Sequence, residues 1–377
     1  MTKPRLRPWM LLVGSAALCL LFGEVVVRWL LPPPGFMPFV VAETRGVVES
    51  DPGRGYRYAS NLSRHIVVPD YEIDFSTNAL GMRDVEIDSV PPDRPRWLAV
   101  GDSYTQGNGV QSGEAWPKRL QARVADLHVF NAGVSAYGLH QIRRTAEVLF
   151  PILRPELILV GLYGHGYSRL ADPYVVVGDG AGLMRKSLSS HVAITPEGYL
   201  LPVFAREPLK TGGVWIDKHW HWMGHLLHLL LGPRTLGVRP MLPAELPAPG
   251  VLERDMQPML DELARLDADA RRWGVPLVGL LIEPVDEEGR FAPISRRYDE
   301  IVAGFARDHR ICIVDPKQTL ASSGLARALR LGGDPHWSPR AHDLAAGALV
   351  EALAGSASAD TARGACAAAA RVVRSRT

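Results

Sequence analysis

Two kinds of apolar spacing alternate along most of this chain. Short apolar runs at Trp97-Leu98-Ala99-Val100, at Leu127 to Phe130 with His128 interrupting, at Leu157 to Leu162, and over 276–282 and 311–314 predict buried strands. Between them, residues 116–127, 139–152, 252–273 and 293–307 carry apolar positions at helical spacing, and a closing helix is expected from about Arg340 to Leu353. Such succession predicts an α/β fold, with a parallel sheet covered by helices on both faces.

Four stretches depart from this rhythm. At the amino terminus, Lys3, Arg5 and Arg7 precede an apolar stretch from Trp9 to Leu31, broken only by Glu24 and Arg28 and stopped by Pro32-Pro33-Pro34. About 20 apolar residues suffice to cross a bilayer, so this reads as a transmembrane signal-anchor, with a cleaved signal peptide and a buried soluble helix as the weaker alternatives. Basic residues before the span keep the tip cytoplasmic and export the rest. Glu24 and Arg28, four apart, can pair on one helix face. Residues 35–95 look β-rich and irregular and are expected to form an accessory segment. The catalytic unit is expected over 96–355, with a peripheral insertion at about 168–250 and a weakly ordered, Ala-rich tail over 356–377. Within the insertion, Trp215 to Leu231 combines tryptophans and leucines with His219, His221, His225 and His228. It reads as an amphipathic lid or a membrane-facing helix; a metal site is the weaker alternative, because no carboxylate stands among the histidines.

Composition narrows the function. The chain has 377 residues, 47% hydrophobic and 22% charged, enough for a substantial core. A net charge of +2, with scattered basic residues, argues against a nucleic-acid partner. Cys19, Cys312 and Cys366 give neither metal spacing nor an even disulfide framework, and Cys312 is expected as a buried thiol in its strand. No metal or cofactor is implied.

The candidate chemistry lies at the end of the first strand of the alternating region. Gly101-Asp102-Ser103-Tyr104 puts a serine on a strand-to-helix loop at a carboxyl end, where open α/β sheets bind ligands. Near the far end of the chain, Asp334-Pro335-His336-Trp337 sets an aspartate two residues before a histidine, on the same side of an extended segment. The carboxylate can then fix the imidazole tautomer while the other ring nitrogen faces Ser103. Asp102 is expected to brace the loop as a hydrogen-bond acceptor.

These blocks, in this order, resemble the SGNH or GDSL serine hydrolase superfamily, and the D-x-H-W ending resembles its membrane-linked and sugar-acetylating branches. The resemblance implies a three-layer, flavodoxin-like sandwich with Ser103 as nucleophile, His336 as general base and then acid, and Asp334 as the orienting carboxylate. Asn131-Ala132-Gly133 resembles the second block and implies an oxyanion-binding N–H at Gly133. The third block departs from the pattern: where relatives carry Gly-x-Asn-Asp, this chain has Gly164-His165-Gly166. His165 can supply a ring N–H in place of the asparagine, or the site relies on backbone donors alone, or turnover has been lost. Phe75 to Asp84 resembles a segment preceding the serine block in membrane-anchored members; Arg83 and Asp84 there are expected in structural ion pairs rather than lining the cleft.

The resemblance thus implies an extracytoplasmic esterase acting on acyl esters of cell-envelope carbohydrate or lipid. A transferase version passes the acyl group to a sugar hydroxyl and requires a multi-span acyl-donor partner, since one anchor helix forms no channel. A non-catalytic carbohydrate-binding protein of the same fold is the reading of a different class.

Overall fold

The computed structural model describes residues 8–30, 47–51, 53–68, 70–169, 175–177, 184–186, 191–194, 200–203, 220–231, 250–286, 290–324, 326–332, 334–355 and 361–374. Five parallel strands form its centre: β5 (Arg96–Gly101), β6 (His128–Gly133), β7 (Leu157–Tyr163), β12 (Leu277–Ile282) and β13 (Cys312–Val314), hydrogen-bonded in the order β13-β12-β7-β5-β6. Counted along the chain this is the 2-1-3-4-5 order of flavodoxin-like sheets. The order reverses beside β5, so the loop after β5 opens at the topological switch point, where such sheets leave a crevice.

Alternate residues of the strands feed two separate cores. Leu98, Val100, Phe130, Ile158 and Val160 face one side, and Trp97, Ala99, Val129, Leu157 and Leu159 the other. The first side is covered by α4 (Leu139–Leu153), α6 (Val251–Trp273) and α7 (Pro293–His309). In α6 the buried Leu252, Met256, Met259, Leu263, Leu266 and Ala270 recur at helical spacing, which lays one stripe on the sheet. The second side is covered by α3 (Trp116–Gln121), α8 (Lys317–Ser322) and α9 (Pro339–Gly355). The helix expected to run to residue 127 stops at Gln121, because the chain turns through residues 122–126 to enter β6.

Two antiparallel hairpins, β1–β2 (Val48–Asp51, Gly55–Tyr58) and β3–β4 (Ser63–Val68, Tyr71–Ser76), open the described part of the accessory segment, which continues through residues 77–95 to the first sheet strand. Tyr56, Tyr58, Ile73 and Phe75 bury into the core shared with the sheet. In the insertion, β8–β9 (Val175–Val177, Met184–Lys186) and β10–β11 (His191–Ile194, Leu200–Val203) form two more hairpins beside β1 and β2, followed by α5 (His221–Leu231). The amino-terminal α1 (Pro8–Leu30) contains one stretch, Trp9–Leu30, long and apolar enough to cross a membrane.

The carboxyl end corrects two expectations. Residues 361–374 form a helix, α10 (Thr361–Arg374), where weak order is expected from composition. It docks by a buried face containing Ala369 and Ala370, whose small side chains allow close approach, and this brings Cys366 to the edge strand, where it forms a disulfide with Cys312. Cys312 is therefore not a free buried thiol.

Candidate functional site

The serine loop is built by its own backbone. Gly101 ends β5, and Asp102, in extended conformation, caps the one-turn helix α2 (Ser103–Gln106) by accepting the Tyr104 N–H at 3.1 Å. Gly107 closes that turn at φ 84°, a left-handed conformation glycine takes without steric cost. The strand ends come very close to the turn. A Cβ on Gly101 or Gly161 would lie about 2 Å from Thr105 Oγ1, and one on Gly133 would meet the Gln106 nitrogen at 2.2 Å, so side chains there would push the serine helix off the sheet.

His336 arrives from the other end of the chain. It lies in β15 (Asp334–Trp337), paired with β14 (Arg330–Leu331), directly before α9, which starts at Pro339 and is capped by Ser338 Oγ accepting the Ala341 N–H at 3.3 Å. His336 Nε2 is 2.8 Å from Ser103 Oγ, across 233 residues of sequence. On the opposite edge of the ring, Nδ1 is 2.5 Å from Asp334 Oδ1, and the same oxygen accepts the His336 backbone N–H at 2.8 Å. Burial works to raise the Asp334 carboxyl, but the hydrogen bonds and charge of His336 outweigh it and hold the pKa below the ordinary 3.8. An ionised Asp334 claims the Nδ1 proton, which leaves Nε2 as an acceptor for the serine hydroxyl.

Two further residues hold the histidine, and neither was legible as a site residue from the local motif. Tyr104 lays its ring 4.7 Å from the imidazole, centroid to centroid, and donates its hydroxyl to the Pro335 carbonyl at 3.1 Å. Asn108 packs its side-chain nitrogen 3.3 Å from His336 Nδ1, a contact beside the ring and not a hydrogen bond, since that Nδ1 donates to Asp334. Trp337 fixes the strand from the far side, its indole N–H donating to the Glu283 carbonyl at 3.0 Å.

The accessory segment braces the same loop. Arg83 is fully buried, and its guanidinium donates to the carbonyls of Gly107 at 2.6 Å, Val110 at 2.7 Å and Gln106 at 3.3 Å. Asp84 accepts the Asn131 N–H at 2.8 Å and pairs with Lys118 at 2.6 Å and His128 at 3.1 Å. Burial pushes the Asp84 carboxyl up, and the contacts from His128 and Lys118 together bring it below 3.8. Both side chains thus act on the loops that present Ser103 and Asn131 rather than on a ligand.

The oxyanion side is less as the resemblance implies. The Gly133 N–H donates to Asn131 Oδ1 at 3.1 Å, an Asx-type bond to the residue two before it, so this donor is engaged inside its own loop. The Ser103 N–H opens α2, where an amide has no intrahelical acceptor. His165 stands in the two-turn 3₁₀ segment Gly164–Arg169 directly after β7, and its side chain lies outside the described residues. Of the four histidines between Trp215 and Leu231, the side chain of His225 is described; His219 and the side chains of His221 and His228 lie outside the described residues.

No family model and no curated protein matches this chain. Solved structures do. A member of the lipolytic protein G-D-S-L family from Veillonella parvula DSM 2008 matches with 12% identity and a TM-score of 0.37, over 68% of this chain and 96% of that one. A psychrotrophic esterase from Pseudoalteromonas sp. matches with 13% identity and a TM-score of 0.35, over 68% and 94%. A catalytic mutant of an acetylxylan esterase from Geobacillus stearothermophilus matches with 14% identity and a TM-score of 0.36, over 68% and 93%. Over that stretch the chain is similar to lipolytic proteins and esterases of the G-D-S-L type.

Proposed function

We propose that this protein is a serine esterase of SGNH type, anchored by α1 with its catalytic unit outside the cytoplasm. The observation that carries the reading is the Ser103–His336–Asp334 chain of contacts at 2.8 and 2.5 Å, assembled from opposite ends of the sequence at the sheet's switch point. His336 Nε2 takes the proton from Ser103 Oγ as the oxygen attacks an ester carbonyl. The negative charge that develops on the carbonyl oxygen is held by the Ser103 N–H, with Gly133 joining if its amide releases Asn131, and with His165 as the side-chain donor. His336 then protonates the leaving alcohol, and water, activated by the same imidazole, releases the acyl group from Ser103.

Location is supported by two features. Basic residues precede the apolar helix, and the Cys312–Cys366 disulfide is of the kind that persists in oxidising compartments. An envelope carbohydrate or lipid ester is the substrate class consistent with that side of the membrane.

Hydrolysis of p-nitrophenyl acetate by purified full-length protein tests the reading. Ser103→Ala abolishes turnover, and Asp334→Asn lowers kcat by roughly 10⁴, as loss of the orienting carboxylate does in a comparable triad. Equal rates in all three proteins would reject it. Product analysis with and without an acceptor sugar separates hydrolysis from acyl transfer.

A further inference from the structure

The insertion helix α5 is tied to the amino-terminal helix at a depth that water does not reach if α1 spans the bilayer. The backbone N–H of Trp222, in the first turn of α5, donates to Glu24 Oε2 at 3.2 Å, while Glu24 Oε1 holds Arg28 at 2.6 Å. First-turn amides have no intrahelical acceptor and favour a carboxylate, so the contact suits both partners. Glu24 lies six residues before the end of α1 at Leu30, about 9 Å along a helix rising 1.5 Å per residue. The whole of α1 spans about 34 Å, against about 30 Å of hydrocarbon. The start of α5 therefore sits inside the outer apolar slab.

The composition of α5 fits that place. From Trp220 to Leu231 there is no Asp, Glu, Lys or Arg. Leu226 and Leu230, four apart on one face, are 39% and 69% exposed, and α1, which packs against α5, is itself exposed at Phe22 and Trp29. Eleven residues make about 16 Å of helix, too short to cross. A charged pair inside a membrane needs partners, and the α5 amide gives Glu24 one.

We propose that α5 is a second membrane contact, set into the acyl-chain region of the leaflet on the catalytic side, with lipid hydrocarbon covering Leu226 and Leu230. This rests on the reading of α1 as a membrane anchor. It goes beyond anchoring: a single span leaves the catalytic unit free to swivel, whereas a second insertion point holds one of its faces toward the bilayer.

Full-length protein in vesicles of phosphatidylethanolamine and phosphatidylglycerol tests it by nitroxide accessibility. One sample carries the label on native Cys19, a second on Leu230→Cys in a Cys19→Ser background, and a third on Val67→Cys in that background as a water-exposed reference. The label at position 230 is expected to collide readily with oxygen and at least several-fold less with a water-soluble nickel complex than the label at position 67. If position 230 matches position 67 while Cys19 stays protected from nickel, α5 stands in water and the proposal is wrong with the anchor intact. If Cys19 itself is open to nickel, the anchor reading fails and takes the proposal with it. If position 230 is shielded from both reagents and shows spin coupling between copies, a second copy of the chain covers the face and the lipid assignment is overturned.

Discussion

Replacing Arg83 by methionine removes a buried guanidinium that holds three carbonyls of the serine loop. Hydrogen bonds from charged groups contribute about 1.5–3 kcal/mol each, so the two short bonds to Gly107 and Val110 together amount to about 3–6 kcal/mol. That is a large fraction of the ~5–15 kcal/mol that stabilises a typical domain. Arg83→Lys keeps the charge but presents a point donor instead of a planar fork, and it retains roughly half of the effect. The loop held by these bonds carries Ser103 at one end and Asn108 near the other, so slack in it also moves the nucleophile relative to His336. A misplacement near 1 Å costs about 10²-fold in rate. Urea unfolding gives the stability of each variant, and p-nitrophenyl acetate turnover, corrected for the folded fraction, gives the rate. The order wild type, Arg83→Lys, Arg83→Met is expected in both. An Arg83→Met protein within about 1 kcal/mol of wild type and with full kcat would refute the assignment of Arg83 as the brace of this loop.

Three further outcomes follow from buried groups. Asp84→Asn leaves the Lys118 ammonium without its carboxylate and is expected to cost about 3–5 kcal/mol in urea unfolding near neutral pH. The Asp84 carboxyl is depressed in the folded state, so its stabilisation is complete above the unfolded value near 3.8 and fades as pH falls through the lower folded value; the variant's deficit shrinks over that acid range. Glu283 behaves oppositely: burial raises its pKa from 4.5 to about 8, so between those values the native state keeps a proton that the unfolded chain releases, and stability falls by about 1.4 kcal/mol per pH unit. Glu283→Gln is expected to flatten that decline, read as the change in urea midpoint between pH 6 and pH 8. Cys366→Ala opens a disulfide with a sequence separation of 54 and is expected to lower stability by up to about 4 kcal/mol, with added reductant weakening wild type but not the variant.

The central sheet was legible because both of its faces are buried: most of its strands read as continuous apolar runs, β6 with His128 and Asn131 being the exception, and the helices between them keep one apolar stripe. Ser103, Asp334 and His336 were legible as candidates because each lies in a short block whose geometry is local, and the structure brings those blocks together. Residues whose partners are distant in sequence were not. Arg83 and Asp84 both read as members of structural ion pairs; Asp84 does pair with Lys118, but Arg83 instead holds backbone carbonyls of the serine loop, a role that only the fold displays. Cys366 sits among alanines whose composition hides the packing face that delivers it to Cys312. The engagement of the Gly133 N–H by Asn131 has a local signal, an asparagine two residues before the glycine, which is the spacing of an Asx turn.

Covalent labelling tests directly, without knowledge of the natural substrate, whether Ser103 is a nucleophile activated by His336. Full-length protein treated with a fluorophosphonate is expected to gain one adduct, mapped by mass spectrometry to the peptide containing Ser103. The adduct should be absent in Ser103→Ala and form far more slowly in His336→Ala. Folded wild-type protein that takes no label, or labelling that persists in Ser103→Ala, would contradict the claim.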